Sequence, residues 1–422
     1  MSCHSISFLA AAALISQRHL LSTVKRSSID QTVTAKARQL LSFTFAYKHR
    51  SKIESGQGKV LDIETKMELI CRPPTEEVIT PEDLRHLLES EEHPIAYNGW
   101  EPSGLVHLGT GLICVYKIKD FIEAGIRYKA YLSTWHAWLN NKMGGDLKLI
   151  KKAADLFKHS WIALGVPPDK VEFIYSDELY DDLKYWEKTV MVAKNLSIAR
   201  VTRTLEIAGR KESEARHVSD YLYTPMQVAD IFHMEVKICQ LGIDQRKANV
   251  VARELGEKLG YWKPVCVHHS YLQGLMKPPI WPIPKERERE ILSSIKMSKS
   301  KPGTCIFIYD SPEEIRKKIS MAFCPEKIVE YNPILEICKF IIFREKEAFK
   351  IQRPTKFGGP IEFHSLQELQ KAYRDGKLHP EDLKNAVAQE LARILEPVRR
   401  YFENNKEAME SLNLVKKTKI TR

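Results

Sequence analysis

Between about residues 85 and 310, short apolar runs that read as strands alternate with segments whose apolar residues recur at helical spacing. The strand-like runs are AYNGW, YKAYLSTW, KVEFIYSDE, PVCVHHSYL and TCIFIYD. Helical spacing is carried by QRKANVVARELGEKL and by the face of Leu147, Ile150, Ala154, Phe157, Trp161 and Leu164. Strands that alternate with helices leave little choice: they form an α/β domain around a mostly parallel sheet. TPEDLRHLLES adds an early helix, with Thr80 as N-cap, Pro81 at the first position and Asp83 placed to close a capping box. Beyond residue 310 helix patterns take over. SPEEIRKKI starts one helix. A longer one from about Pro380 carries Leu383, Val387, Leu391, Ile394, Leu395, Val398 and Phe402 on one side, and Pro397 is expected to kink it or end it early.

The first 66 residues differ from the rest. They hold 10 Lys/Arg against 4 Asp/Glu and are rich in Ser, Ala and Leu. That composition resembles a mitochondrial presequence, whereas ISFLAAAALI lacks the preceding basic residue of a secretory signal. The reading favoured here is a poorly structured extension before a natural start at Met67, with action in the cytoplasm and the mitochondrion as the alternative. The chain is therefore divided into an extension (1–66), a catalytic α/β domain (67–310) and a helical domain (311–422).

Of the net charge of +11, the extension carries +6, residues 311–422 carry +5, and the middle is neutral. A basic C-terminal third suits a polyanionic partner, although a solvated helical surface has the same signature. Eight scattered cysteines without a CxxC pair indicate reduced thiols and no zinc site. No apolar run reaches the 18 residues or so of a membrane span.

Two strings carry chemistry. AYNGWEPSGLVHLG, residues 96 to 109, reads as a strand, a Gly/Pro/Ser turn and a helix start, a geometry in which backbone N–H groups meet an anion. KMSKSKPGT, residues 296 to 304, is a cationic loop with little apolar anchoring, suited to closing over a polyphosphate. No GxxxxGK[ST] string is present, which disfavours P-loop chemistry. In YTPMQVADI, Tyr223, Gln227 and Asp230 fall on one helical face.

An HLG turn followed about 190 residues later by KMSKS resembles the paired signatures of class I aminoacyl-tRNA synthetases. With YLSTWHAWLNNKMGGDL, YTPMQVADI, LGIDQRK and KLHPEDLKNAV, the chain is similar over residues 75 to 405 to the archaeal and eukaryotic branch of tyrosyl-tRNA synthetases. The resemblance implies a Rossmann-like catalytic domain and a helical anticodon-binding domain. It implies ATP with Mg²⁺ as co-substrate, no tightly bound metal, tRNA(Tyr) as partner and a homodimer. The helix after His107 and the NNKMGGD region are the expected interface.

The resemblance assigns His107, Thr110, Lys296 and Lys299 to catalysis. It assigns Gly99, Gly104, His107, Gly109, Met297 and Lys299 to ATP, with Gly109 leaving room for the adenine end. Tyr97 and Asp230 are placed at a phenolic hydroxyl, and Tyr223, Gln227 and Gln245 around an α-ammonium. Phe357, His379 and Asp382 become anticodon contacts, with core packing as the alternative for Phe357 and first-turn helix stabilisation for Asp382. Thr110 stands where the family commonly has a second histidine; its hydroxyl donates a hydrogen bond and carries no charge. A tryptophanyl-tRNA synthetase, a catalytically idle paralogue that binds RNA or protein, and a nucleotidyltransferase with a similar turn are the competing readings.

Overall fold

Strand β2 (Ile95–Trp100) lies at the centre because it is apolar on both faces: Ala96 faces one apolar layer, Ile95 and Tyr97 the other. The computed structural model describes residues 61–208 and 217–418. Expectations about residues 1–60 lie outside these. Around β2 are β1 (Thr75–Ile79), β3 (Arg127–Leu132), β4 (Val171–Tyr175), β5 (Ile238–Gly242) and β6 (Val265–His269). The sheet order is β1-β6-β5-β2-β3-β4, parallel except for the edge strand β1, which runs antiparallel to β6.

Sequence order runs outward from β2 to β4 on one side and from β5 to β6 on the other. The β2/β5 seam is therefore the switch point, where a crevice opens beyond the carboxyl ends of the strands. Along β3, β2 is paired from Ile95 to Trp100, but along β5 only Ala96–Ile238 and Tyr97–Cys239 pair. The strands part above Tyr97, and that gap is the root of the functional cleft.

Helix Ile63–Cys71, N-capped by Asp62, runs through the boundary expected at Met67. Thr80 caps Pro81–Ser90 as read from the sequence, accepting from the Asp83 N–H at 3.1 Å. The Asp83 carboxylate goes elsewhere: it accepts from Arg253 and pairs with Lys263 at 3.2 Å. Helix Leu147–Ala163 buries Ile150, Ala154, Phe157 and Trp161, the face expected of it. TCIFIYD is no strand of the main sheet. Its centre forms an isolated antiparallel bridge, Phe307 opposite His107.

C-terminal to this, Ser311 and Glu314 close a capping box on helix Pro312–Ser320. The long helix ends at Ile394, and Pro397 lies in the first turn of the next one, Glu396–Asn404. The helical region also contains a hairpin that helix patterns did not announce, β7 (Phe349–Ile351) with β8 (Ile361–Phe363). One apolar layer is continuous from Ala130, Leu132 and Val267 through Val115, Ile118 and Phe121 to Ile315, Leu391 and Phe402. The helical region is thus seated on the sheet domain through shared core.

Candidate active site

A cleft of about 2110 Å³ opens over the β2/β5 seam, lined at one end by Tyr97, Tyr223, Gln227 and Asp230 and at the other by His107, Thr110, Lys296 and Lys299. Gly99, Gly109, Gln245 and Met297 also line it.

The first signature is built around its glycines. Gly104 has φ +125°, a conformation open to glycine, and is buried in the turn beside Ser103, which lines the cleft. At Gly109 a Cβ would come within 3.2 Å of the His107 ring, so this glycine makes room for the histidine itself. The Gly109 N–H donates to His107 Nδ1 at 3.2 Å, which leaves the ring proton on Nε2. Burial, with Lys299 and Lys296 nearby, lowers the imidazole to about 3. His107 is therefore a neutral donor at physiological pH. Thr110 Oγ1 accepts from the His107 N–H at 3.1 Å and holds the turn, work done without charge.

The second signature faces the first. Leu108 N–H donates to Ile306 O at 3.0 Å and Ile308 N–H to Val106 O at 3.1 Å, so the turn and the chain leaving the lysine loop are tied together. Lys296 Nζ donates to Asp244 Oδ2 at 3.1 Å. Lys299 Nζ reaches across to Ser103 Oγ. Loss of water around it, and the Lys142 ammonium, bring Lys299 down to about 7. Met297 is buried and donates its N–H to Leu272 O at 2.7 Å.

The other end of the cleft is a set of hydroxyls converging on one carboxyl. Asp230 Oδ1 accepts from Tyr185 OH at 3.0 Å and Tyr131 OH at 3.4 Å, and Oδ2 lies 3.7 Å from His136 Nε2. Burial pushes the Asp230 carboxyl well above its usual range, with the tyrosine hydroxyls opposing the shift. Tyr97 is buried, and its hydroxyl and Gln227 Oε1 make no hydrogen bond of good geometry. Burial raises the Tyr97 hydroxyl well above its usual range, and the Gln227 side chain lies close enough to oppose that rise somewhat. Two buried polar atoms so placed on the wall of a cleft mark positions for a ligand's polar groups. Higher up, Gln227 Nε2 donates to Gln245 Oε1 at 3.3 Å, and Tyr223 OH donates to Glu101 Oε1 at 2.6 Å.

Several of these residues escaped the sequence. Glu101, inside GWEPSG, also accepts from Asn140 at 2.7 Å, and Asp244 sits inside LGIDQRK; their place in conspicuous strings was the signal that could have found them. Tyr131, Tyr185 and His136 gave none, because their partner Asp230 lies between 45 and 99 residues away.

The anticodon candidates lie apart from the cleft. Phe357, in the turn Thr355–Phe357 between β7 and β8, is 58% exposed, which removes core packing as its explanation. His379 is the N-cap of helix Pro380–Ile394, accepting from Glu381 N–H at 3.2 Å, and Asp382 lies in the first turn. Arg353 donates to Gly359 O and Lys377 O, both at 2.6 Å, and so ties the Phe357 loop to the segment leading into His379. Of the two segments expected at an interface, helix Cys114–Glu123 is largely buried, from Cys114 to Ile118 and at Asp120 and Phe121, whereas NNKMGGD buries Asn140 and Met143 but exposes Asn141, Gly144 and Asp146.

Strand order and paired signatures place the chain in a class: the family model for class I tRNA synthetases (W and Y) matches residues 89–396, and the chain belongs to that family. Within it the similarity narrows to the tyrosine side. Tyrosine–tRNA ligase of Thermococcus kodakarensis is 47% identical over 378 residues, 86% of this chain and all of that one. The structure of tyrosyl-tRNA synthetase complexed with L-tyrosine from Pyrococcus horikoshii superposes with a TM-score of 0.80 at 46% identity, over 84% of this chain and all of that one. The Leishmania major tyrosyl-tRNA synthetase in complex with tyrosinol gives 0.75 at 29% identity, over 84% of this chain and 60% of that one.

Proposed function

We infer that the protein is a tyrosine–tRNA ligase, which activates L-tyrosine with ATP and passes the tyrosyl group to the 3′ end of tRNA(Tyr). The observation that carries this is the buried Tyr97 hydroxyl beside Asp230 on the cleft wall, where it makes no hydrogen bond of good geometry within the protein. A phenolic hydroxyl finds a donor and an acceptor here, and phenylalanine would offer the Tyr97 hydroxyl and Asp230 Oδ2 nothing to bond. The magnitude of such discrimination, ~10⁵, is the one known for tyrosyl-tRNA synthetases themselves, the standard example of a site that rejects an analogue lacking the hydroxyl. An indole N–H needs an acceptor alone, which argues against tryptophan.

The substrate carboxylate, with a pKa near ~3.5, is already a nucleophile at neutral pH and needs no general base. Its oxygen attacks the α-phosphorus of ATP in line, the bond to pyrophosphate breaks, and the ribose hydroxyl of the tRNA terminus then displaces AMP. Gln227 Oε1 and Gln245 accept from the α-ammonium, with Tyr223 packed beside them. His107 Nε2–H, Lys296 and Lys299 meet the phosphates, and Gly99 allows close approach. In this role Thr110 acts through His107. The carboxylates nearest the signatures are engaged: Asp244 by Lys296, Glu101 by Tyr223 and Asn140. Mg²⁺ is accordingly assigned to the ATP phosphates, whose charge it offsets.

Exposed Phe357 is assigned to stacking on an anticodon base, with His379 and Asp382 as base-edge contacts. The homodimer surface is assigned to the exposed apolar side chains Leu183, Val190 and Ile198. Action in the cytoplasm is proposed, with the mitochondrion as the alternative. A fluorescent protein carrying residues 1–66 would, by entering mitochondria, overturn the cytoplasmic assignment.

Tyrosine-dependent ATP–pyrophosphate exchange tests the main reading, with tryptophan, phenylalanine and Lys299→Ala as controls. Exchange is expected with tyrosine alone and should fall on the order of 10²- to 10³-fold in the variant. Exchange with tryptophan, or none in a folded protein that binds tRNA, would overturn it.

A further inference from the structure

Both ends of the KMSKS loop are fastened to one short stretch of chain, Leu272 to Leu275. Met297 N–H donates to Leu272 O at 2.7 Å, Gly274 N–H to Ile295 O at 2.7 Å, and Leu275 N–H to Thr304 O at 2.8 Å. Gln273 stands opposite Lys296 in an isolated antiparallel bridge. The stretch is crowded at its centre: a Cβ on Gly274 would lie 3.1 Å from Ile295 O, 3.5 Å from Thr304 O and 3.7 Å from Lys296 O. A side chain here would press the two ends of the loop apart by a few tenths of an ångström.

The stretch is in turn held by the helical region. Phe323 N–H donates to Leu275 O at 2.8 Å. Gln273 N–H donates to Glu336 Oε2 at 2.7 Å. Glu336 sits in the short helix Pro333–Ile337, whose start is set by buried Asn332, accepting from Ile334 N–H and Leu335 N–H. Its carboxylate faces the cleft beside Tyr331 and Lys339. Burial pushes the Glu336 carboxyl up to about 7, with the Gln273 N–H opposing the shift, and this carboxyl is the only side chain bonded to that stretch's backbone among the described residues.

We propose that Glu336 is a positioning residue for the KMSKS loop: from the helical region it fixes residues 272–275, and through them the place of Lys296 and Lys299 over the cleft. This rests on the loop meeting ATP as proposed above. It adds a mechanical link between the part of the protein assigned to tRNA and the lysines assigned to phosphate. Glu336 touches no reacting atom, so its loss acts on the nucleotide and leaves the amino acid alone.

The test compares Glu336→Ala with Glu336→Gln, which keeps a carbonyl acceptor for Gln273 N–H. In pyrophosphate exchange, E336A is expected to raise the KM for ATP on the order of tenfold with the KM for tyrosine unchanged, and E336Q to restore most of the loss. A second readout does not depend on activity. Backbone hydrogen exchange at Gly274, Leu275 and Met297 should quicken in E336A and stay near the wild-type rate in E336Q, with β2 and β3 unchanged. Gly274→Ala should quicken the same amides. If exchange at those amides is the same in E336A and wild type, or if E336A weakens tyrosine and ATP alike, the proposal is wrong. Absence of tyrosine-dependent activity in the wild type would sink the functional reading instead, while hydrogen exchange still decides the role of Glu336.

Discussion

The two ends of the cleft are built on opposite plans. At the Asp230 end, side chains come from strands and helices packed inside the core, and they bond to one another: Asp230, Tyr185, Tyr131, Tyr180 and Ser176 form one network, with the Tyr97 hydroxyl outside it. At the phosphate end, the cations sit on a loop and rest on provisional partners, Lys299 on Ser103 and Lys296 on Asp244. A triphosphate can displace a serine hydroxyl from an ammonium at little cost, because the charge gains stronger partners. Displacing Tyr185 from Asp230 would leave a buried carboxyl and a buried hydroxyl short of partners. Selection of the amino acid is therefore placed where nothing has to move, and phosphate handling where exchange of partners is cheap.

That division can be broken by experiment. The largest effect is expected from Asp230→Ala. It should lower kcat/KM for tyrosine on the order of 10²-fold and leave the KM for ATP in place. Steady-state exchange at varied tyrosine and varied ATP reads both, and a matching rise in the ATP constant would mean the two ends are not separate. Phe357→Ala touches neither end. It is expected to raise the KM for tRNA about tenfold, the loss of one stacked base, with pyrophosphate exchange unchanged. Aminoacylation that proceeds at wild-type tRNA affinity would remove Phe357 from the interface.

The smallest effect sharpens the comparison by pH. Lys299 titrates at about 7 in the free protein, and its useful form is the protonated one. kcat/KM for ATP should then be highest below that value and fall about fivefold from pH 7 to pH 8. kcat should be flatter, because bound phosphate raises the lysine's pKa. Lys299→Arg, always charged, should remove the fall. A profile unchanged in that variant would assign the titration to another group.

How much of this was legible beforehand follows the same line. The lysine loop and the histidine turn announce themselves as strings, since each must present local backbone or charge to an anion. Tyr223, Gln227 and Asp230 were readable because one helix turn brings them together. What stayed hidden was chosen by tertiary contact. Tyr185 and Tyr131 meet Asp230 only after β3 and two helices are assembled. Glu336 reaches Gln273 across 63 residues. Asp83 had a local role open to it and took Arg253 instead, a partner 170 residues on. The same holds for TCIFIYD: its composition suits a strand, but its neighbour is the lead of the histidine turn and the pairing ends after one bridge. Gly109 was read as space for a nucleotide; it lines the cleft, and a side chain there would also crowd the ring of His107.

The parting of β2 from β5 above Tyr97 has a consequence for how this cleft can be altered. The depth of the amino-acid pocket is measured off by backbone register, the Tyr97–Cys239 pair being its bottom rung. Substitutions on helix Tyr223–His233 can change what the pocket floor says to a substrate's tip, but no side-chain change lowers the rung. Truncation of Tyr97 or Asp230 can deepen the pocket by the length of a side chain, and the β2/β5 register sets the limit beyond that.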